Sequence, residues 1–303
     1  MQNQPPMLPE LVINWHITES CNFHCKYCFA KWTKIENERE LWRTEQSAFR
    51  LLDQLHQFFS PNSSLHSRHT TLPWRSVRLS LAGGEPTLLG ERLVEIAQHA
   101  KSIGLDVSLI TNGSKPHVVQ QITPTLSMIG LSLDTSDKQA NERIGRVQNS
   151  ESRIDYGNMI RLLQDIRRTN PTITIKINSV INSANVNEDM SELINSLNPD
   201  RWKVMRMLPI LTNSLSIEPR EFQAFVERHK NLHSIMSIED NTDMECSYLM
   251  IDPLGRFFQN KKALSGYAYS RPILEVGPKN AFNDIEFDFS KFVARYPSQL
   301  IKA

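Results

Sequence analysis

The chain has 303 residues, 40% of them hydrophobic, with 34 Lys and Arg against 33 Asp and Glu and a formal net charge of +1. That length buries a substantial core in one or two domains, and the near-neutral balance excludes a global field for nucleic acid or an anionic membrane. The start has neither an apolar signal region nor a basic amphipathic pattern, and no stretch approaches a membrane span, so a cytoplasmic protein in a reducing compartment is expected.

In chain order, short β-branched alternating runs take turns with amphipathic helical stretches. Strands are predicted over 11–18, 76–82, 105–111, 128–133, 172–181 and 202–207. Helices are predicted over 41–59, 88–103, 114–123, 153–168, 186–197 and 219–232. Six βα units predict an α/β fold, a partial (β/α)6 barrel with a parallel sheet inside, helices outside and one open side. Residues 1–10 read as an N-terminal tail, 11–245 as the barrel and 246–303 as a C-terminal extension that closes over the active site. The polar stretch 60–73 reads as an exposed loop, and 246–259 as two short strands around a turn at 253–255. From 261 to the end no element is assigned.

Three of the four cysteines, Cys21, Cys25 and Cys28, form a C-x3-C-x2-C run directly after the first predicted strand. Three thiolates on one tight loop hold three irons of a [4Fe–4S] cube and leave the fourth iron for a small molecule. A radical S-adenosylmethionine (SAM) enzyme needs that geometry, because the methionine amine and carboxylate chelate the open iron. A structural zinc site would want a fourth ligand, which His16 or His24 would have to supply. Clustered spacing in a long chain without a signal peptide points to metal rather than a disulfide framework. Cys246 stands alone and reads as a small buried side chain.

A second landmark, Gly83-Gly84-Glu85-Pro86, ends the second strand, where glycines let the backbone approach a ligand closely enough to bond a methionine amine. Asn112, in the turn ending strand three, and Ser132, in strand four, are candidate contacts for the ribose or carboxylate of SAM. Strand alternation supplies the rest. With Val77, Leu79 and Leu81 on the helix side, Arg78, Ser80 and Ala82 point into the lumen. The same pattern sends Asn14, His16, Thr18, Thr174, Lys176, Asn178, Arg201 and Lys203 inward. A closed barrel fills its interior with Val, Ile and Leu. Here Arg78, Lys176 and Lys203 face the centre with one obvious inward acid, Asp134. Unpaired buried cations cost several kcal/mol each. The lumen is therefore expected to bind a polyanion such as a nucleoside triphosphate, and a register slip of one residue would instead turn these charges to solvent.

Longer segments carry a resemblance. The run 176–182 (KINSVIN), 201–204 (RWKV), 227–230 (ERHK), 144–148 (IGRVQ), Ser247-Tyr248-Leu249 with Asp252, and 273–277 (ILEVG) are similar to segments of the viperin family of radical SAM nucleotide dehydratases, and more closely to its prokaryotic members. The similarity runs from about Asn14 to about Ala281. It implies a cytoplasmic dehydratase that converts CTP, UTP or GTP to the 3′-deoxy-3′,4′-didehydro analogue, an antiviral chain terminator. By resemblance, a 5′-deoxyadenosyl radical takes the 4′-hydrogen, the 3′-hydroxyl leaves as water, and one electron completes the product. SAM is a co-substrate beside the [4Fe–4S] cluster, and a flavodoxin- or ferredoxin-like protein donates electrons to a monomer.

The resemblance implies roles for particular residues. Cys21, Cys25 and Cys28 ligate the cluster, while Gly83, Gly84 and Glu85 hold the methionine end. Tyr27 and Phe29 pack on the cluster or adenine, with Asn112, Ser132 and Arg146 also on the cofactor side. Asn14, His16, Arg78, Ser80, Lys176, Asn178, Arg201 and Lys203 bind substrate, and Arg146 is also set at the triphosphate. Tyr248 is the candidate proton donor. The animal proteins carry Lys, Asn and Ser where this chain has Arg78, Ser80 and Ala82. Guanidinium and ammonium are not interchangeable, so the departure bears on the choice of base. Rival readings are a peptide maturase or GTP-cyclising radical SAM enzyme, or a non-catalytic metal-binding module.

Overall fold

A computed structural model describes residues 8–32, 39–61, 63, 74–147, 156–260 and 266–295. Seven strands run parallel in sequence order: β1 (Leu8–Thr18), β2 (Trp74–Gly83), β3 (Asp106–Thr111), β4 (Met128–Ser132), β5 (Thr174–Ile181), β6 (Arg201–Arg206) and β7 (Met236–Glu239). The chain then returns to the other side of β1, where β8 (Leu249–Ile251) pairs parallel with it. Antiparallel β9 (Arg256–Asn260) and β10 (Tyr267–Pro272) extend that edge. Among the described residues, these ten strands make one sheet that begins at β10 and ends at β7 without closing.

Sequential neighbours in a parallel sheet require crossovers on one face, and the helices supply them. They include α1 (Glu45–Phe59), α2 (Glu91–Ser102), α3 (Pro116–Ile122), α4 (Lys138–Ile144), α5 (Tyr156–Thr169), α6 (Ser191–Leu197) and α7 (Pro219–Arg228). Alternation decides what meets them. Leu11, Ile13, Trp15 and Ile17 of β1, with Val77, Leu79 and Leu81 of β2, lie in one large apolar core under the helices. Ile175, Ile177, Trp202 and Val204 join the same core. Their alternate neighbours, including Lys176 and Lys203, therefore face the lumen, as the period-two pattern predicts.

Three expectations need correction. The barrel has a seventh parallel strand: β7 is four residues, MSIE, too short to show a period. β1 begins at Leu8, so Glu10 belongs to the sheet rather than to a tail. α4 was not anticipated, although Asp137 caps it by accepting Ala140 N–H at 2.5 Å and Gly145 ends it. Most of the stretch 60–73, the start of the predicted helix at 153, Gln148 and parts of the tail lie outside the described residues. No helix among the described residues is long and apolar enough to cross a membrane.

Candidate active site

The cysteine loop leaves β1 at the C-terminal ends of the strands and is clamped from two sides. Gly84 N–H donates to Thr18 O at 2.7 Å and Glu85 N–H to Ser20 O at 2.8 Å. Opposite, His24 N–H donates to Gly145 O at 3.1 Å and Lys26 N–H to Ile144 O at 2.8 Å. Both clamps need glycine. A Cβ on Gly84 would fall on Ser20 O, and one on Gly145, at φ +89°, would fall on His24 O. The Gly83–Gly84 turn thus serves the loop directly.

Glu85 is corrected. Its carboxylate is buried and accepts four hydrogen bonds, from Thr87 N–H (3.0 Å), Thr87 Oγ1 (2.5 Å), Thr111 Oγ1 (2.6 Å) and Asn112 N–H (2.7 Å). Burial pushes its pKa up, and these donors pull it back. The side chain fastens the end of β2 to the end of β3 and is not free for a ligand. Asn112 continues the brace, its Nδ2 donating to Asn22 Oδ1 at 3.0 Å within the cysteine loop. A buried acid that sequence reading missed, Glu40, holds the loop's root by accepting Glu19 N–H at 2.7 Å and Thr18 Oγ1 at 2.9 Å.

Arg146, just past Gly145, is buried against the same loop. Nη2 donates to Ser132 O at 2.6 Å, Nη1 lies 3.7 Å from Asp134, and the guanidinium sits 5.6 Å over the Phe23 ring. Tyr27 donates its hydroxyl to Asp134, which also accepts Val180 N–H at 2.9 Å. Arg146, Tyr27 and Ser132 therefore meet on the cluster side, and the triphosphate placement of Arg146 is corrected. Phe29 is 41% exposed at the loop's edge.

Cys21, Cys25 and Cys28 are half-buried free thiols. Burial pushes all three pKa values up, Cys25 to about 12, while Arg146 pulls each back. Metal binding replaces thiol protons, and a buried guanidinium offsets the negative charge of thiolates. The donor set therefore fits an anionic iron–sulfur cluster. Among the described residues, no three His, Cys, Asp or Glu side chains gather as ligands of a single metal ion.

The lumen behind the loop has a different character. His16 is surrounded by Phe29, Trp32 and Phe258 at ring distances of 5.7, 5.3 and 5.2 Å, and burial pushes its pKa down to about 3. It sits in this aromatic group, not among the cations. Asn14, half-buried, donates to Leu249 O at 3.4 Å and lies beside Ser80 in the β1–β2 register. Toward the N-terminal ends of the strands, a cavity of about 860 Å³ is lined by Arg78, Arg201, Glu10 and Glu239, among others. The first residues of β3, β4, β5 and β6 line it as well.

Lys176 lies among these charges. Burial pushes its pKa well below the usual value, and Lys203, Arg78 and Arg201 lower it further, against the pull of Glu239. The Lys176 side chain makes no hydrogen bond or ion pair among the described residues. Gly130 on β4 makes its seat: a Cβ there would lie 3.2 Å from Lys176 Cε and 2.9 Å from Asn178 Nδ2. The expectation of a single inward acid is corrected. Glu10 pairs with Arg78 at 2.6 Å, and Glu239 pairs with Lys203 at 2.9 Å. Arg78 also donates to Met128 Sδ at 2.8 Å. Tyr248, preceding β8, accepts from Lys203 Nζ at 2.5 Å and donates its hydroxyl to Glu239. Glu10 and Glu239 were missed because both lie at strand positions the periodicity did not reach.

Comparison with known proteins supports the same picture. The Radical SAM superfamily model matches residues 15–177, which sets the class. The fold agrees: anSMEcpe with bound AdoMet superimposes with a TM-score of 0.56 at 15% identity, over 97% of this chain and 84% of that one. SuiB of Streptococcus suis bound to S-adenosylmethionine gives 0.55 at 16% identity, over 83% of this chain and 60% of that one. An S-adenosylmethionine-dependent nucleotide dehydratase of Psychrobacter lutiphocae is 41% identical over 95% of both chains. One of Pseudoalteromonas ulvae is 38% identical over 96% of this chain and 94% of its own. RSAD2 of Oncorhynchus mykiss is 32% identical over 93% of this chain and 78% of its own. The chain belongs to the S-adenosylmethionine-dependent nucleotide dehydratases of the radical SAM superfamily. Its cofactors are a [4Fe–4S] cluster and SAM.

Proposed function

We propose that the protein dehydrates a nucleoside triphosphate, CTP, UTP or GTP, to its 3′-deoxy-3′,4′-didehydro analogue. The observation that carries this reading is Lys176, half-buried beside Lys203, Arg78 and Arg201, its side chain making no ion pair among the described residues. Four cations around one lumen match a triphosphate better than a neutral sugar or a peptide. Lys176, Lys203, Arg78 and Arg201 hold the phosphates toward the strand N-termini, with Asn178, Ser80 and Asn14 lining the lumen above them. The ribose then lies toward the cysteine loop, with His16 on the aromatic side. Phosphate binding far from the reacting carbon supplies the energy that fixes the sugar.

At the other end, Cys21, Cys25 and Cys28 ligate the cluster, and the Gly83–Gly84 backbone and Asn112 border the methionine end of SAM. When bound, the cluster and SAM supply the 5′-deoxyadenosyl radical that takes the 4′-hydrogen. The aromatic group around His16 excludes water, and positioning of this kind contributes about 7–11 kcal/mol in favourable cases. Tyr248 is the proton donor to the departing 3′-hydroxyl, being hydrogen-bonded to both Lys203 and Glu239. Residues 246–303 act as the extension that covers the lumen, a role supported by Tyr248 reaching across to Lys203. A flavodoxin- or ferredoxin-like donor, a monomeric state and the cytoplasm complete the reading.

The test is anaerobic turnover of reconstituted protein with SAM, dithionite and each nucleotide, read by mass spectrometry. A nucleotide lighter by one water, formed with 5′-deoxyadenosine, is expected. SAM cleavage with every nucleotide unchanged would refute the substrate assignment.

A further inference from the structure

Glu239 stands out because it is ion-paired with Lys203, one of the cations proposed above to hold phosphate. It is 6% exposed and borders the cavity that Arg78 and Arg201 line together with Glu10, Asp106, Asp200 and Asp243. Burial works against its ionised form, but Lys203 and Arg295, with the hydroxyl of Tyr248, hold its pKa below the ordinary carboxylate range. It is therefore an anion at neutral pH, seated on a lysine proposed to take a phosphate. Its two oxygens are divided. Oε1 lies 2.9 Å from Lys203 Nζ, while Oε2 accepts the Tyr248 hydroxyl. Lys203 Nζ also donates to Tyr248 at 2.5 Å and lies 4.9 Å over its ring, and the Arg295 guanidinium stacks 3.7 Å over the same ring. Lysine, tyrosine and glutamate thus form a closed triangle across the gap between β7 and β8.

We infer that Glu239 is a resident counter-ion that a phosphate of the substrate displaces from Lys203, and that it then serves as the acceptor that positions Tyr248. The inference rests on the reading of Lys203 as a phosphate ligand. Removing an ammonium from water is costly, and Lys203, unlike Lys176, is offset by a carboxylate before phosphate arrives. Glu239 supplies that offset through one oxygen. The other oxygen keeps the Tyr248 hydroxyl oriented when Lys203 turns to the nucleotide, so the exchange leaves Tyr248 with a defined partner. The carboxylate also sets a threshold: a ligand must bring more negative charge than Glu239 to win Lys203. That favours triphosphates over ligands with fewer phosphates.

The exchange makes a prediction that a bracing role does not. Glu239→Gln keeps the shape and removes the competing charge. Two unit charges a few ångströms apart in a partly buried site interact strongly enough that inorganic tripolyphosphate and the nucleoside triphosphate should each bind about tenfold tighter to this variant. Its kcat should fall, because Tyr248 loses its carboxylate acceptor, so KM and kcat drop together. Affinities are measured by calorimetry on anaerobic, cluster-loaded full-length protein, with Lys203→Met as the control. If Lys203→Met weakens tripolyphosphate while Glu239→Gln leaves it unchanged or weaker, the exchange is wrong and the phosphate reading stands. If Lys203→Met changes nothing, the phosphate reading itself fails. Should Glu239→Gln not fold, Glu239→Asp draws the charge back by one methylene and is expected to tighten binding by a smaller factor. Weaker binding in that variant would equally overturn the exchange.

Discussion

At the residue scale, two interior charges, half-buried Lys176 and buried Glu85, have opposite situations and should respond oppositely to substitution. The Lys176 side chain has no hydrogen bond or ion pair among the described residues and is pushed toward neutrality by burial and by three neighbouring cations. Replacing it with methionine removes a strained group, so the free protein should keep or gain thermal stability. Nucleotide affinity should fall at least tenfold, since a charge-assisted hydrogen bond contributes about 1.5–3 kcal/mol. Calorimetry of nucleotide binding alongside a melting curve checks both halves, and unchanged affinity would remove Lys176 from the phosphate site. Glu85 is the reverse case, an acid whose every contact is a donor. Glu85→Gln sets an NH2 against donors, and a stability loss of about 1–3 kcal/mol is expected. Urea unfolding measures that loss. A neutral result would mean the amide finds acceptors that the carboxylate does not use.

At the element scale, the ends of strands and helices carry the chemistry, and their precision comes from glycine. Gly145 closes α4 and receives the cysteine loop in one step. Gly145→Ala would force both its own positive φ and its contact with His24 to change. The loop should loosen, with iron and sulfide per chain falling by half or more after reconstitution, while far-ultraviolet circular dichroism stays native. Full cluster loading would show that the loop tolerates the shift. The elements themselves were largely legible. Strands such as β2 and β5 alternate so regularly that Val77, Leu79 and Leu81 announce their face, and Arg78 and Lys176 the other. β7 was not legible because four residues cannot establish a period, and with it went Glu239. Glu10 was lost for a related reason: β1 gains its first residues by pairing with Trp74 and Ser76 of β2, a partnership formed far along the chain.

At the scale of the whole molecule, burial of neutral histidine links stability to pH. His16 is held near a pKa of about 3 inside the aromatic group. His229 is fully buried, and its ring nitrogens lie 2.8 Å from Met190 N–H and 2.7 Å from Phe225 O, with its pKa lowered chiefly by burial. Unfolded histidine takes up a proton below about 6.5, whereas these two do not until lower pH. Their contribution is therefore complete above pH 6.5 and is lost as pH falls, for His16 toward about 3. His16→Phe should flatten that slope, recovering about 1–2 kcal/mol at pH 5 relative to the parent. Urea unfolding at pH 7.5 and pH 5 decides it, and equal slopes would mean that His16 is protonated in the folded state. By itself, the sequence determined the class of fold, the cysteine loop and the inward cations, because local periodicity and ligand spacing are written in consecutive residues. Only the tertiary structure decided what each inward charge meets. Arg146 went to the cysteine loop, Glu85 to a clamp between strands, and Glu10 and Glu239 to the lumen cations, since buried charges are settled by partners brought together from distant parts of the chain.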